Sequence, residues 1–104
     1  DLKNMKRPAS HIQGMFGVTL DDLCDKWGFP FPNYIKIDVD GIEIAILKGA
    51  EKVLRNPALK SITVELGTIE EQQEAVSLLE QAGFKVKFKT TENWGETCFV
   101  FDRI

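Results

Sequence analysis

Histidine and tyrosine each occur once in the 104 residues and cysteine twice, and there is neither a basic excess nor a long apolar run. Each shortage narrows what the chain can do. The single histidine, His11, has no second His or Cys near it and reads as a loop residue rather than a ligand or base. Cys24 and Cys98 are far apart and lack metal-ligand spacing, so they read as free, buried thiols of a reducing cytosol, which makes cytoplasmic the expected location. Thirteen basic against sixteen acidic residues leave a net charge of -3. That balance argues against nucleic acid or an anionic membrane as partner, since both require a positive surface. No apolar run approaches the ~20 residues that cross a bilayer. The opening Asp1-Leu2-Lys3-Asn4 carries neither a signal peptide's apolar stretch nor an initiator Met, and reads as a cut.

What is present is ordinary for a globular domain: 43% hydrophobic and 28% charged residues, enough for one domain at most. Residues 1–17 lack clear periodicity and are expected to be irregular, with the domain proper over 18–104. Thr19 can cap a short helix whose apolar stripe is Leu20, Leu23, Cys24 and Trp27, ending at Gly28. Pro30 and Pro32 forbid helix in the connector that follows. Residues 34–39 form a β-branched strand, and 42–56 a helix with Leu47, Ala50 and Leu54 on one row, stopped by Asn56-Pro57. Residues 61–66 are a second strand. Thr68 caps a helix to residue 82 with Ala75, Val76, Leu79 and Ala82 inward, and Gly83 ends it. In 84–89, Phe84, Val86 and Phe88 alternate with lysines, giving a strand with one wet face. The polar loop from Thr90 to Glu96 is too short for a helical crossover, so residues 97–101 return as an antiparallel hairpin. Phe84, Phe88, Phe99 and Phe101 read as core, whereas Trp94 in the polar loop could close over a substrate or partner.

The expected fold is therefore α/β: a partial doubly wound, Rossmann-like sheet with two parallel strands, crossover helices and a C-terminal antiparallel hairpin. Alternation puts Tyr34, Lys36, Asp38 and Asp40 on one side of the first strand, and Ile35, Ile37 and Val39 on the other.

Lys36-Ile37-Asp38-Val39-Asp40-Gly41-Ile42-Glu43, followed by Leu47-Lys48-Gly49-Ala50, resembles the FkbM family of S-adenosylmethionine-dependent methyltransferases. Thr19-Leu20-Asp21 upstream and Ile62-Thr63-Val64-Glu65-Leu66 downstream match further segments of that family, so the likeness runs over roughly residues 18–104. Asp40 stands where the family has Glu. The family's first half, with its first strand, Gly-rich turn and ribose-binding acid, has no counterpart here. Gly14-Met15-Phe16-Gly17 is no substitute, because no strand precedes it. The resemblance implies a class I sheet in the order 3-2-1-4-5-7-6, of which this chain would supply strands 4 to 7.

In such sheets the ligand sits beyond the carboxyl ends of the strands, at the point where strand order reverses. Asp38 is the leading catalytic candidate, as acceptor of a substrate hydroxyl's proton or as anchor for Mg²⁺ at that oxygen. Lys36, two residues away on the same face, is the second; the alternative is a purely structural Lys36–Asp38 ion pair. Asp40 and Glu65 are candidates for substrate binding. For Asp40 and Glu43 the competing reading is helix capping, and for Glu65 a satisfied strand end. The activity implied is methyl transfer from S-adenosylmethionine to a hydroxyl of a sugar or secondary metabolite. This chain alone is expected to bind no cofactor tightly and to be inactive. Alternatives are a non-catalytic half-domain that associates through strand 34–39 with another copy or with a separate first half, and a small binding module with a complete four-strand sheet.

Overall fold

The computed structural model describes residues 17–39, 41–91 and 95–104. Helix α1 (Leu20–Asp25) begins where the Thr19 hydroxyl accepts the Asp22 N–H at 3.0 Å, and Gly28 (φ 73°) turns the chain afterwards, as expected. Strand β1 (Tyr34–Ile37) follows the two-proline connector, and is two residues shorter than the alternation predicts. Next come helices α2 (Glu43–Lys48) and α3 (Glu51–Arg55), strand β2 (Ser61–Leu66), helix α4 (Ile69–Gln81), and strands β3 (Phe84–Thr91) and β4 (Thr97–Arg103).

The single helix expected over 42–56 is thus two, and the reason lies in α1. The Asp21 N–H donates to the Gly49 carbonyl at 3.1 Å, and the Asp21 carboxylate takes the N–H groups of Lys52 and Val53, each at 2.9 Å. Those are orphan donors at the start of a helix, so Asp21 caps α3 from a distant part of the chain. Gly49 permits the approach, because a Cβ there would lie 3.1 Å from the Thr19 methyl.

The sheet order is β1-β2-β4-β3, with β1–β2 parallel and both β2–β4 and β4–β3 antiparallel. In β2, Ile62, Val64 and Leu66 are fully buried while Ser61, Thr63 and Glu65 are only half-buried. The register carries the same division to β1 (Ile35, Ile37 inward) and β4 (Phe99, Phe101 inward). One core holds these strands together with Leu47, Val53 and Leu54 of α2 and α3, and Ala75 and Leu79 of α4. Helices α2, α3 and α4 therefore lie on one face. Among the described residues no helix covers the other, so the doubly wound arrangement is not seen.

Three expected core residues are outside. Trp27, Val86 and Phe88 are exposed, Phe88 by 51%. For Phe88 the cause is a bulge: the register slips between Val86 and Phe88, so that Lys89 rather than Phe88 stands opposite the buried Phe99, while Val86, still opposite Phe101, lies in an edge strand. The other end of the sheet is tied by Arg103. Its guanidinium donates to the carbonyls of Leu59, Ala82, Leu54 and Asn56, and lies 4.3 Å from the centre of the Phe84 ring.

Candidate active site

Neighbouring parallel strands end at the same edge, so β1 and β2 bring their final residues together. Ile37 pairs with Val64, which places Asp38 beside Glu65 on the face away from the core. Glu65 also sits opposite Cys98 of β4, and Glu96 lies just before that strand. Three carboxylates from three segments thus converge on one edge.

Glu65 lies near both Asp38 and Glu96. Desolvation pushes its pKa up, and the nearness of Asp38, then that of Glu96, pushes the same way.

A fourth carboxylate extends the edge. Glu43 opens α2 and is only 4% exposed. Burial raises its pKa, while the backbone N–H groups of Glu43 itself and of Gly41 favour the charged form and oppose that rise. Glu71 and Glu96 add like charge. The capping expectation needs correction here: the N-cap of α2 is Ile42, which makes no side-chain cap, so Glu43 is the first helical residue rather than the third after a cap. It still reaches back to the backbone, as a capping carboxylate does. Asp40 lies outside the described residues, as do Trp94 and His11.

Lys36 is exposed on the Asp38 face of β1. Among the described residues it forms no ion pair with Asp38, whose close partner is an acid instead. Of the sequence candidates, the structure unites Asp38 with Glu65 and leaves Lys36 to one side.

Two glycine-containing strand–turn–helix connections of the described residues lie at the carboxyl edge: β1–Gly41–α2, with Gly41 at φ 89°, and β2–Gly67–α4. The Glu43 carboxylate already lies against the backbone N–H groups at the start of α2, so a ligand's carboxylate would meet a like charge there. No group of three or more His, Cys, Asp or Glu among the described residues has the arrangement to hold a metal ion.

A family model described as the methyltransferase FkbM domain matches residues 12–86, well over half of the 104-residue chain. The chain belongs to the FkbM methyltransferase domain family. Comparisons with curated proteins and with solved structures found no match. The FkbM match takes in Asp38, Glu43 and Glu65 and ends before Glu96. Glu96 was missed from sequence, where it stands in a polar loop. Only the β2–β4 register, which sets Cys98 against Glu65, brings it to the edge. The burial of Glu43 had no sequence signal beyond its place after β1.

No helix among the described residues is long and apolar enough to cross a membrane. Cys24 is buried, with burial raising its pKa, whereas Cys98 is only half-buried, and among the described residues neither forms a disulfide.

Proposed function

We propose that the intact protein is an S-adenosylmethionine-dependent O-methyltransferase acting on a hydroxyl of a sugar or secondary metabolite, and that this chain supplies the wall of the site that handles the acceptor's proton. The observation that carries the reading is the register of β1 and β2, which sets Asp38 beside Glu65 at their shared carboxyl edge. An acceptor hydroxyl must lose its proton, and a carboxylate within hydrogen-bond reach is a suitable base. Asp38, exposed at the strand end, takes that proton, with Glu65 beside it. The sheet order β1-β2-β4-β3 is the order that strands 4-5-7-6 of a class I methyltransferase would have, which supports the same assignment. A strand pairing with the free edge of β1 would complete the family's sheet there. Were Mg²⁺ to take part, Asp38 would be the residue to hold it, and the ion would supply Lewis-acid activation of the acceptor hydroxyl.

The chain by itself is proposed to be inactive. Calorimetric titration with S-adenosylmethionine should give no binding at micromolar concentrations, and micromolar binding would refute this part of the proposal. In the complete enzyme, Asp38→Asn should lower turnover ~10²–10⁴-fold, the usual contribution of a general base. Unchanged turnover would remove Asp38 from the mechanism.

A second reading, a half-domain that associates without catalysing, is favoured by one observation. Strand β1 is at the sheet edge, with Tyr34 75% exposed. Pairing of residues 34–39 with a second copy would satisfy that edge. Light scattering separates the two readings, since a strict monomer at high concentration eliminates the second.

A further inference from the structure

Away from the acidic edge, α4 and the β3–β4 hairpin enclose an open groove of about 680 Å³, within the range of sites that hold small organic ligands. Its apolar lining is Ile69 and Val76 of α4 with Val86, Phe88 and Phe99 of the hairpin. Val86 stands in the edge strand opposite Phe101, and the bulge that follows it sets Lys89 opposite Phe99. Along α4 the groove runs from Ile69 to Glu80, about 16 Å at 1.5 Å per residue.

Its charges are not symmetric. Lys89 is the groove's cation, and its Nζ stands 5.7 Å from the centre of the Phe99 ring, a buried residue of the same lining. Among the described residues Lys89 has no carboxylate partner. It lies opposite Phe99, two residues along β4 from Thr97, whose hydroxyl accepts from Gln72 Nε2 at 3.4 Å. Lys89 therefore belongs to the end of the groove nearer the start of α4, and Glu80 to the far end. An ammonium over an apolar, aromatic floor fits a ligand with an anionic head and a hydrocarbon body.

We infer that this groove binds a small amphipathic carboxylate, free in solution, with its carboxylate on Lys89 and its chain or ring along Val76, Val86 and Phe88. The Glu80 carboxylate fixes the direction by repelling a head group at the other end. The site is independent of the methyltransferase reading, since none of the edge carboxylates lines it.

The test is amide-shift mapping of the full chain with octanoate, kept below its micelle concentration, and with octanol. Octanoate should give saturable shifts at Val76, Val86, Phe88 and Lys89, and its affinity should fall at least tenfold in Lys89→Gln. Octanol should bind both proteins alike. Absence of saturable shifts in the groove, shifts only elsewhere, or equal octanoate affinity for the two proteins would each overturn the inference.

Discussion

Replacing Arg103 by Met would remove the most connected side chain in the fold while keeping its apolar stem. Four N–H groups are lost from carbonyls at 2.7 Å (Leu59), 3.2 Å (Ala82), 2.6 Å (Leu54) and 2.8 Å (Asn56). At ~1.5–3 kcal/mol for each bond from a charged donor, the sum would be ~6–12 kcal/mol. That sum is too large, because the acceptors are only partly buried and water can replace some of the donors. The acceptors do share a character, however. Leu54 and Asn56 end α3 and Ala82 ends α4, so the cation also sits where two helix dipoles are negative. The cation over Phe84 adds ~0.5–1 kcal/mol. A loss of about 3 kcal/mol is the reasoned outcome. For a domain of this size that corresponds to a fall in Tm of about 12–24 °C. Urea denaturation and calorimetry would measure it, with Arg103→Lys as control. Lysine keeps the charge but not the fork, and should recover less than half of the loss. A fall under about 3 °C for Met, or full recovery by Lys, would refute the argument that the multi-point fork, rather than charge, fastens this end of the sheet.

Two further tests follow from other parts of the structure. The folded state holds the Glu65 pKa above its unfolded value, so in the window between them the folded chain carries more proton. Stability from this group is fully present below the unfolded pKa, and is lost as pH rises through the folded one. The wild type should gain stability relative to Glu65→Gln as pH falls from neutral toward the ordinary carboxylate range, measured by urea denaturation; a constant difference over that fall would contradict the assignment. Gly49→Ala, at an ordinary φ but 3.1 Å from the Thr19 methyl, should destabilise by ~1 kcal/mol through overpacking. Thr19→Ser keeps the α1 cap and removes that methyl, so a double-mutant cycle should show the pair recovering most of the loss, and strict additivity would dismiss the contact.

Much of the architecture was legible because local chemistry and the tertiary result agree. The threonine caps at 19 and 68, the stop at Asn56-Pro57 and the alternation in 61–66 each depend on neighbours within a few residues. What was not legible depends on distant groups. The helix over 42–56 reads as continuous by periodicity, and breaks because Asp21, some thirty residues away, claims the N–H groups of Lys52 and Val53. Phe88 follows a strand's period, but a bulge just before it in an edge strand sets Lys89 in its place opposite the buried Phe99. The site divides in the same way. Asp38 and Glu65 were identified by their positions at strand ends, whereas Lys36 was paired with Asp38 on a spacing argument that the neighbouring strand overrides. Glu96 required the hairpin register, which no local pattern supplies.

The position of Arg103 has a consequence for motion. At the end of the sheet where β2 begins, four carbonyls from three segments converge on one cation, whereas at the opposite end acids crowd one another around Glu65. The free energy of local opening must therefore be graded along the strands. Amide hydrogens near Leu59 and Arg103 should exchange only with global unfolding, while those around Asp38 and Thr97 escape through smaller openings. The end of the sheet that would meet a substrate is the one that can yield without loosening the rest.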